Sequence, residues 1–151
     1  MTPRALSAIH RAAFGRERPW TAREFETLLE SPLVTLFDRP HGFALCRTVA
    51  GDSELLTLAV DPAHQGHGIG RGLMLDWLKH CEGKADIAFL EVASDNEPAL
   101  ALYRVMGFAP CGLRKGYYAR AGAPAANAIL MQRRLTFGHS GETNTQTPEI
   151  G

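Results

Sequence analysis

Val60-Asp61-Pro62-Ala63-His64-Gln65-Gly66-His67-Gly68-Ile69-Gly70-Arg71-Gly72 follows one apolar run and opens an amphipathic one. The order is strand, glycine-dense loop, helix start. Glycine leaves backbone N–H groups open to an anion, and the dipole of the following helix favours negative charge. The stretch predicts a phosphate-bearing ligand; the alternative is a turn that only ends a strand. A dinucleotide fingerprint is excluded, because the third glycine position falls on Arg71 or Leu73. A nucleotide-triphosphate loop is excluded too, since no Lys-Ser or Lys-Thr is present here.

Outward from this loop the chain reads as alternating elements. Leu6, Ile9, Ala13 and Phe14 recur at helical spacing, predicting a helix over 3–14. Thr21-x-x-Glu24 is a capping box, with Trp20 and Phe25 placed as its hydrophobic staple; Ser31-Pro32 stops that helix. Apolar runs at 33–38, 42–49 and 54–60 are separated by turn residues and predict an antiparallel meander. After the loop, Leu73, Met74, Trp77 and Leu78 mark one helical face, ended by Gly83. A strand over 87–92 follows, then a helix capped by Asp95 or Asn96, with Ala99, Leu102, Tyr103 and Met106 as its buried stripe. A last strand at 128–133 is expected after a loop at 117–127. Strand–helix crossovers in this order imply an α/β fold, a mixed central sheet with helices on both faces. The expected domain is 1–137, and the polar segment 138–151 reads as a disordered tail.

Composition excludes several classes. The chain has 151 residues, 45% of them apolar, enough for one domain with a real core. Lys plus Arg and Asp plus Glu both number 16, so no global basic surface points to nucleic acid or acidic membranes. No apolar run reaches membrane-spanning length, and 1–10 lacks a secretory pattern. Cys46, Cys81 and Cys111 form neither a C-x-x-C pair nor a disulfide framework, so a reducing cytoplasm is expected. His64 and His67 are read as lying in a loop without nearby carboxylate or cysteine ligands, and no metal is expected.

Two motifs carry a resemblance. Gln65-x-x-Gly68-x-Gly70 preceded by Val60-x-Pro62 resembles the pyrophosphate loop of the GNAT superfamily of acetyl-CoA-dependent N-acyltransferases. Residues 90–108 resemble L-E-V-x-x-x-N-x-x-A-x-x-L-Y-x-x-x-G-F, and Gly112-Leu113-Arg114-Lys115-Gly116-Tyr117-Tyr118 resembles G-x-R-x-x-Y-Y. Together they are similar to RimI-type protein N-terminal acetyltransferases, which modify a small-subunit ribosomal protein. The likeness spans about 9–135. It implies a sheet in which two parallel strands splay apart to admit the pantetheine arm.

The resemblance also implies roles. Glu91 becomes the general base and Tyr103 the acid whose hydroxyl protonates the leaving CoA thiolate. Leu58, Ala59, Val60, Gln65, Gly66, His67, Gly68, Ile69, Gly70, Arg71, Gly72, Asn96 and Ala99, with Tyr103, become acetyl-CoA contacts. Leu55, Arg114, Tyr117 and Tyr118 become acceptor contacts.

Physics weighs independently on a few of these. An acid inside an apolar strand is expensive unless it is paired or faces water, so Glu91 is either functional or edge-facing. Tyr103 is either a donor or a core aromatic, Asn96 a cap or a ligand contact, Arg71 a phosphate partner or surface decoration.

Two departures stand against the family pattern. Gly66 and His67 occupy places where basic residues are usual, and 123–127 lacks the acid often found before the last strand. The resulting expectation is direct acetyl transfer in a ternary complex to a protein N-terminal amine, by a monomer or weak dimer. The rivals are transfer to a small amine or to lysine, and a CoA-binding module without turnover.

Overall fold

The structure, a computed structural model, describes residues 1–15 and 17–135. Six strands form one sheet in the order β1-β2-β3-β4-β6-β5, taken as β1 Val34–Arg39, β2 Gly42–Val49, β3 Gly51–Val60, β4 Ala85–Ala93, β5 Ala109–Tyr118 and β6 Ala126–Arg134. The helices are α1 Pro3–Ala13, α2 Ala22–Leu29, α3 Ile69–Cys81 and α4 Glu97–Val105. Only β3 and β4 are parallel neighbours; the other pairs are antiparallel, so the sheet is mixed as expected. The tail from 138 and the boundary at 137 lie outside the described residues.

Side-chain alternation along β2 assigns the helices to faces. Phe43 and Leu45 pack with Leu6 of α1 and Phe25 of α2, whereas Ala44 and Cys46 pack with Leu73, Met74 and Trp77 of α3. Leu100 and Tyr103 of α4, with Met106 just past its end, join that second cluster. Trp77, fully buried, donates its indole N–H to Ser53 Oγ at 2.9 Å, which satisfies the one polar group the ring brings inside. The capping box closes as read: Thr21 Oγ1 accepts from Glu24 N–H and Glu24 from Thr21 N–H, with Trp20 and Phe25 ring centroids 5.4 Å apart.

The sheet opens where the function needs space. Hydrogen-bonded register between β3 and β4 runs only from Gly51↔Ala85 to Glu54↔Phe89. Beyond it, 55–60 and 90–93 diverge. On the other side of β3, Leu45 pairs with Thr57 and Cys46 with Leu55, so Leu56 is an extra residue, a bulge beside the point of divergence. Bulges bend a strand and increase its local twist, which turns the end of β3 away from β4.

One expectation fails. Residues 109–118 are a ten-residue strand, not a connection, and they place Arg114, Tyr117 and Tyr118 on β5. β5 is the sheet edge, and every residue but Tyr118 is exposed, so no face alternates between oil and water. Pro110, Gly112 and Gly116 further hide it.

His10 of α1 sets an acid limit on this fold. Its ring is buried, stacks on Trp20 at 5.0 Å, and accepts the Trp20 N–H at Nδ1. Burial drives its pKa from 6.5 to about 4, with Arg18 adding to the shift and Glu24 opposing it. Between those values the unfolded chain binds a proton that the folded chain refuses. Stability is full above pH 6.5 and falls by about 3 kcal/mol as pH drops toward 4. Urea midpoints measured from pH 7 to 4.5 should show this slope, and a flat profile would contradict it.

Candidate active site

A cleft of about 750 Å³ fills the opening between the strands, a size suited to a cofactor. One end is the glycine loop. Asp61 caps the short turn Pro62–His64, and Gln65 Nε2 donates to Val60 O at 3.1 Å, which ties the loop back to the end of β3. Gly68 is the N-cap of α3 at φ 83°, a left-handed conformation that costs glycine little. No side chain caps this helix, so the N–H groups of Ile69, Gly70 and Arg71 point out of its first turn toward the cleft. Bare backbone donors at a helix N-terminus suit an anion.

Val60, Gln65, Gly66, Gly68, Ile69, Gly70 and Arg71 line this end, with Leu58, Ala59, Asn96, Ala99 and Tyr103 along the walls. His67 and Gly72 do not line it. The His67 ring turns to His64 O at 3.1 Å, and Gly72 N–H is bonded to Gly68 O. Gly72 instead packs against Arg39: a Cβ there would meet Arg39 Cζ at 2.7 Å and displace the guanidinium from its bidentate pair with Asp76. Asn96 does cap α4, accepting Ala99 N–H at 3.3 Å, while also facing the cleft.

Glu91 and Tyr103 both face the middle of the cleft. Glu91 lies on β4 past the last β3 pairing, so its side chain meets the opening rather than a neighbouring strand. Its carboxylate accepts Tyr118 O–H at 3.3 Å and pairs with Arg114 Nε at 3.1 Å. Tyr103 is 7% exposed, and burial pushes its hydroxyl pKa up, so it keeps its proton. The Tyr118 hydroxyl is also raised, first by burial and then by the Glu91 charge.

The far end lies away from the glycine loop. Leu55, Tyr117 and Tyr118 line it, and Arg114 reaches it through Glu91. His10, Phe14, Glu17 and Trp20 line it as well, and sequence reading missed them as site residues. Their helical and staple spacing signals only packing. Arg120 was missed too: almost wholly buried, it pairs with Asp95 at 2.8 Å and Glu17 at 3.6 Å and lies beside the Tyr118 ring. Burial raises the Glu17 pKa, and Arg120 opposes the rise. The structure also corrects the reading of His64. Its Nδ1 is 3.9 Å from Asp61 Oδ2, so a carboxylate does stand beside it.

The Acetyltransferase (GNAT) family model matches residues 4–108. The chain belongs to the GNAT acetyltransferase family. As a GNAT enzyme it takes acetyl-CoA as cosubstrate. The N-alpha-acetyltransferase RimI of Mycobacterium tuberculosis is 39% identical over 121 residues, 74% of this chain and 75% of the relative. The [Ribosomal protein bS18]-alanine N-acetyltransferase of Salmonella typhimurium is 34% identical over 109 residues, covering 68% and 73%. The crystal structure of the ribosomal-protein-S18-alanine N-acetyltransferase from Escherichia coli superposes with a TM-score of 0.81 at 24% identity, covering 94% of this chain and 93% of that one, and shares the GNAT fold. No helix among the described residues is long and apolar enough to cross a membrane.

Arg114 holds the Glu91 carboxylate in the cleft, and a cationic group brought to that carboxylate would compete with it. Arg114 is 56% exposed, so the pair adds little stability. Arg114→Gln should lower the acceptor KM about two- to fivefold in initial-rate assays, with Tm unchanged. A raised KM would mean that Arg114 grips the acceptor instead.

Proposed function

We propose that this GNAT enzyme transfers acetyl from acetyl-CoA directly to the α-amine of a protein N-terminus, with a small-subunit ribosomal protein as the first acceptor to test. The observation that carries this is a single cleft running from the glycine loop, through the gap in the sheet, to Glu91 and the Tyr117–Tyr118 pair. Both substrates then meet across Glu91 and Tyr103, and no cysteine lines the cleft among the described residues, which favours attack without an acetyl-enzyme.

The acceptor end supports a peptide. Phe14, Trp20, Tyr117 and Tyr118 offer flat apolar surface for the first side chains of a chain terminus. An α-amine has a pKa of about 8, so a carboxylate acting through water can complete its deprotonation; a lysine at about 10.4 asks far more. The names of the two relatives above point the same way. Cys46, Cys81 and Cys111 are free thiols, which supports a reducing, cytoplasmic setting.

Steady-state rates over a panel of peptides differing in the first residue, beside N-blocked lysine peptides and polyamines, test the reading. It expects kcat/KM for free N-termini to exceed the others at least tenfold. Higher rates on polyamines or blocked peptides would overturn the acceptor while leaving the cosubstrate untouched. Tight CoA binding without product from any acceptor would make the chain a binding module.

A further inference from the structure

Where β3 ends, three side chains come together that acetyl transfer does not use. Gly42 pairs with Val60, and Asp61 N–H donates to His41 O at 2.8 Å, so the β1–β2 turn lies against the chain leaving β3. His41 sits in that turn at φ 71°, its ring stacked on that of His64 with centroids 3.4 Å apart. Asp61 Oδ1 accepts Ala63 N–H at 3.0 Å, which fixes the carboxylate and turns Oδ2 toward His64. The 3.9 Å from Oδ2 to His64 Nδ1 is too long for a hydrogen bond. His64 Nδ1 is nevertheless buried and has no hydrogen-bond partner. A buried ring nitrogen left in that state loses its hydration without compensation.

The ligating atoms of His41, Asp61 and His64 all lie within 4.8 Å of one another. We propose that these three side chains bind a divalent transition-metal ion of the zinc class at the base of the glycine loop. Two imidazoles with one carboxylate form a borderline ligand set that suits zinc rather than calcium or magnesium, which prefer oxygen alone. Bonds of about 2.0–2.2 Å in a tetrahedral site place ligand atoms roughly 3.4 Å apart, so the ligand atoms close by up to about 1.4 Å and the His41 ring leaves its stack on His64 so that both lone pairs meet the ion. His41 is exposed and its ring can swing inward to do so. The ion would give His64 Nδ1 its missing partner, and water would take the fourth position. One carboxylate does not neutralise a doubly charged ion, so the site adds positive charge beside a loop that carries Gly66 and His67. His64 also lines the cleft, which places that charge at the cosubstrate's edge.

The test uses tag-free, chelator-stripped full chain carrying Cys111→Ser, which removes the exposed thiol. Zn²⁺ is titrated by calorimetry, and Co²⁺ absorption reports the coordination geometry. One ion per chain is expected, and His41→Gly, which suits the positive φ, should weaken Zn²⁺ binding at least tenfold. His67→Ala should stay within twofold. Thermal melts without metal establish that each variant is folded. Failure to bind one ion per chain overturns the site, as does a loss below tenfold in His41→Gly or above twofold in His67→Ala. Binding is read without any acetyl transfer, so the result is independent of the acceptor assignment.

Discussion

Replacing Tyr103 with Phe should lower kcat about a hundredfold while KM for acetyl-CoA stays within about twofold. As the carbon–sulfur bond breaks, negative charge builds on the CoA sulfur, and a neutral donor aimed at it stabilises that charge. Tyr103 is on α4 in the wall of the cleft, and burial keeps its hydroxyl protonated across the working pH range. The same raised pKa makes complete proton transfer to a thiolate of ordinary pKa uphill. In the proposed reaction its contribution would therefore be donation of a hydrogen bond in the transition state, with the proton shed by the acceptor amine closing the balance. Phe keeps the ring packed beside Phe108 and the rest of the core, so Tm should hold within a few degrees. An unchanged kcat would reduce Tyr103 to a packing residue.

Glu91→Gln should slow transfer between tenfold and a hundredfold at pH 7, with the deficit shrinking as pH rises past 8. At pH 7 only about a tenth of an α-amine of pKa near 8 is neutral, and the base supplies the rest. Above pH 8 solvent does this unaided. Gln preserves an oxygen that can accept Tyr118 O–H but removes the charge that Arg114 pairs with. Acetyl-CoA affinity should hardly change, since Glu91 is on β4 while the glycine loop lies beyond the end of β3. A pH–rate profile parallel to that of the parent, offset equally at every pH, would remove the role of base.

Much of this molecule is legible before any coordinates exist. The capping box at Thr21, the meander from β1 to β3 and the Asn96 cap depend on residues within a few positions of one another, and local chemistry determines them. The glycine loop is legible for the same reason, because Gly68 at the N-cap and the bare first turn of α3 are local properties. β5 escapes because an edge strand exposed along nearly its whole length has no hydrophobic period to read.

The opening of the sheet is legible only through the family resemblance, and not in the residues of the strands themselves. Leu55, Leu56, Leu58, Ala59 and Val60 look like any buried strand, and neither the extra residue at Leu56 nor the last pairing at Glu54↔Phe89 leaves a mark in composition. The acceptor wall is the product of distance along the chain. His10, Phe14 and Trp20 meet Tyr117 and Tyr118 only after α1 packs on the β3 side of the sheet and β5 adds to its far edge. Gly72, a motif glycine placed in the ligand set by analogy, is absent from the cleft lining and has the Arg39 guanidinium lying against it.

The most direct measurement is a single peptide that carries both a free N-terminus and an internal lysine, incubated with acetyl-CoA and the enzyme and read by tandem mass spectrometry. Acetyl on the α-amine, with the lysine unmodified at early time points, is the predicted result. Acetyl on the lysine with a free N-terminus would contradict the account.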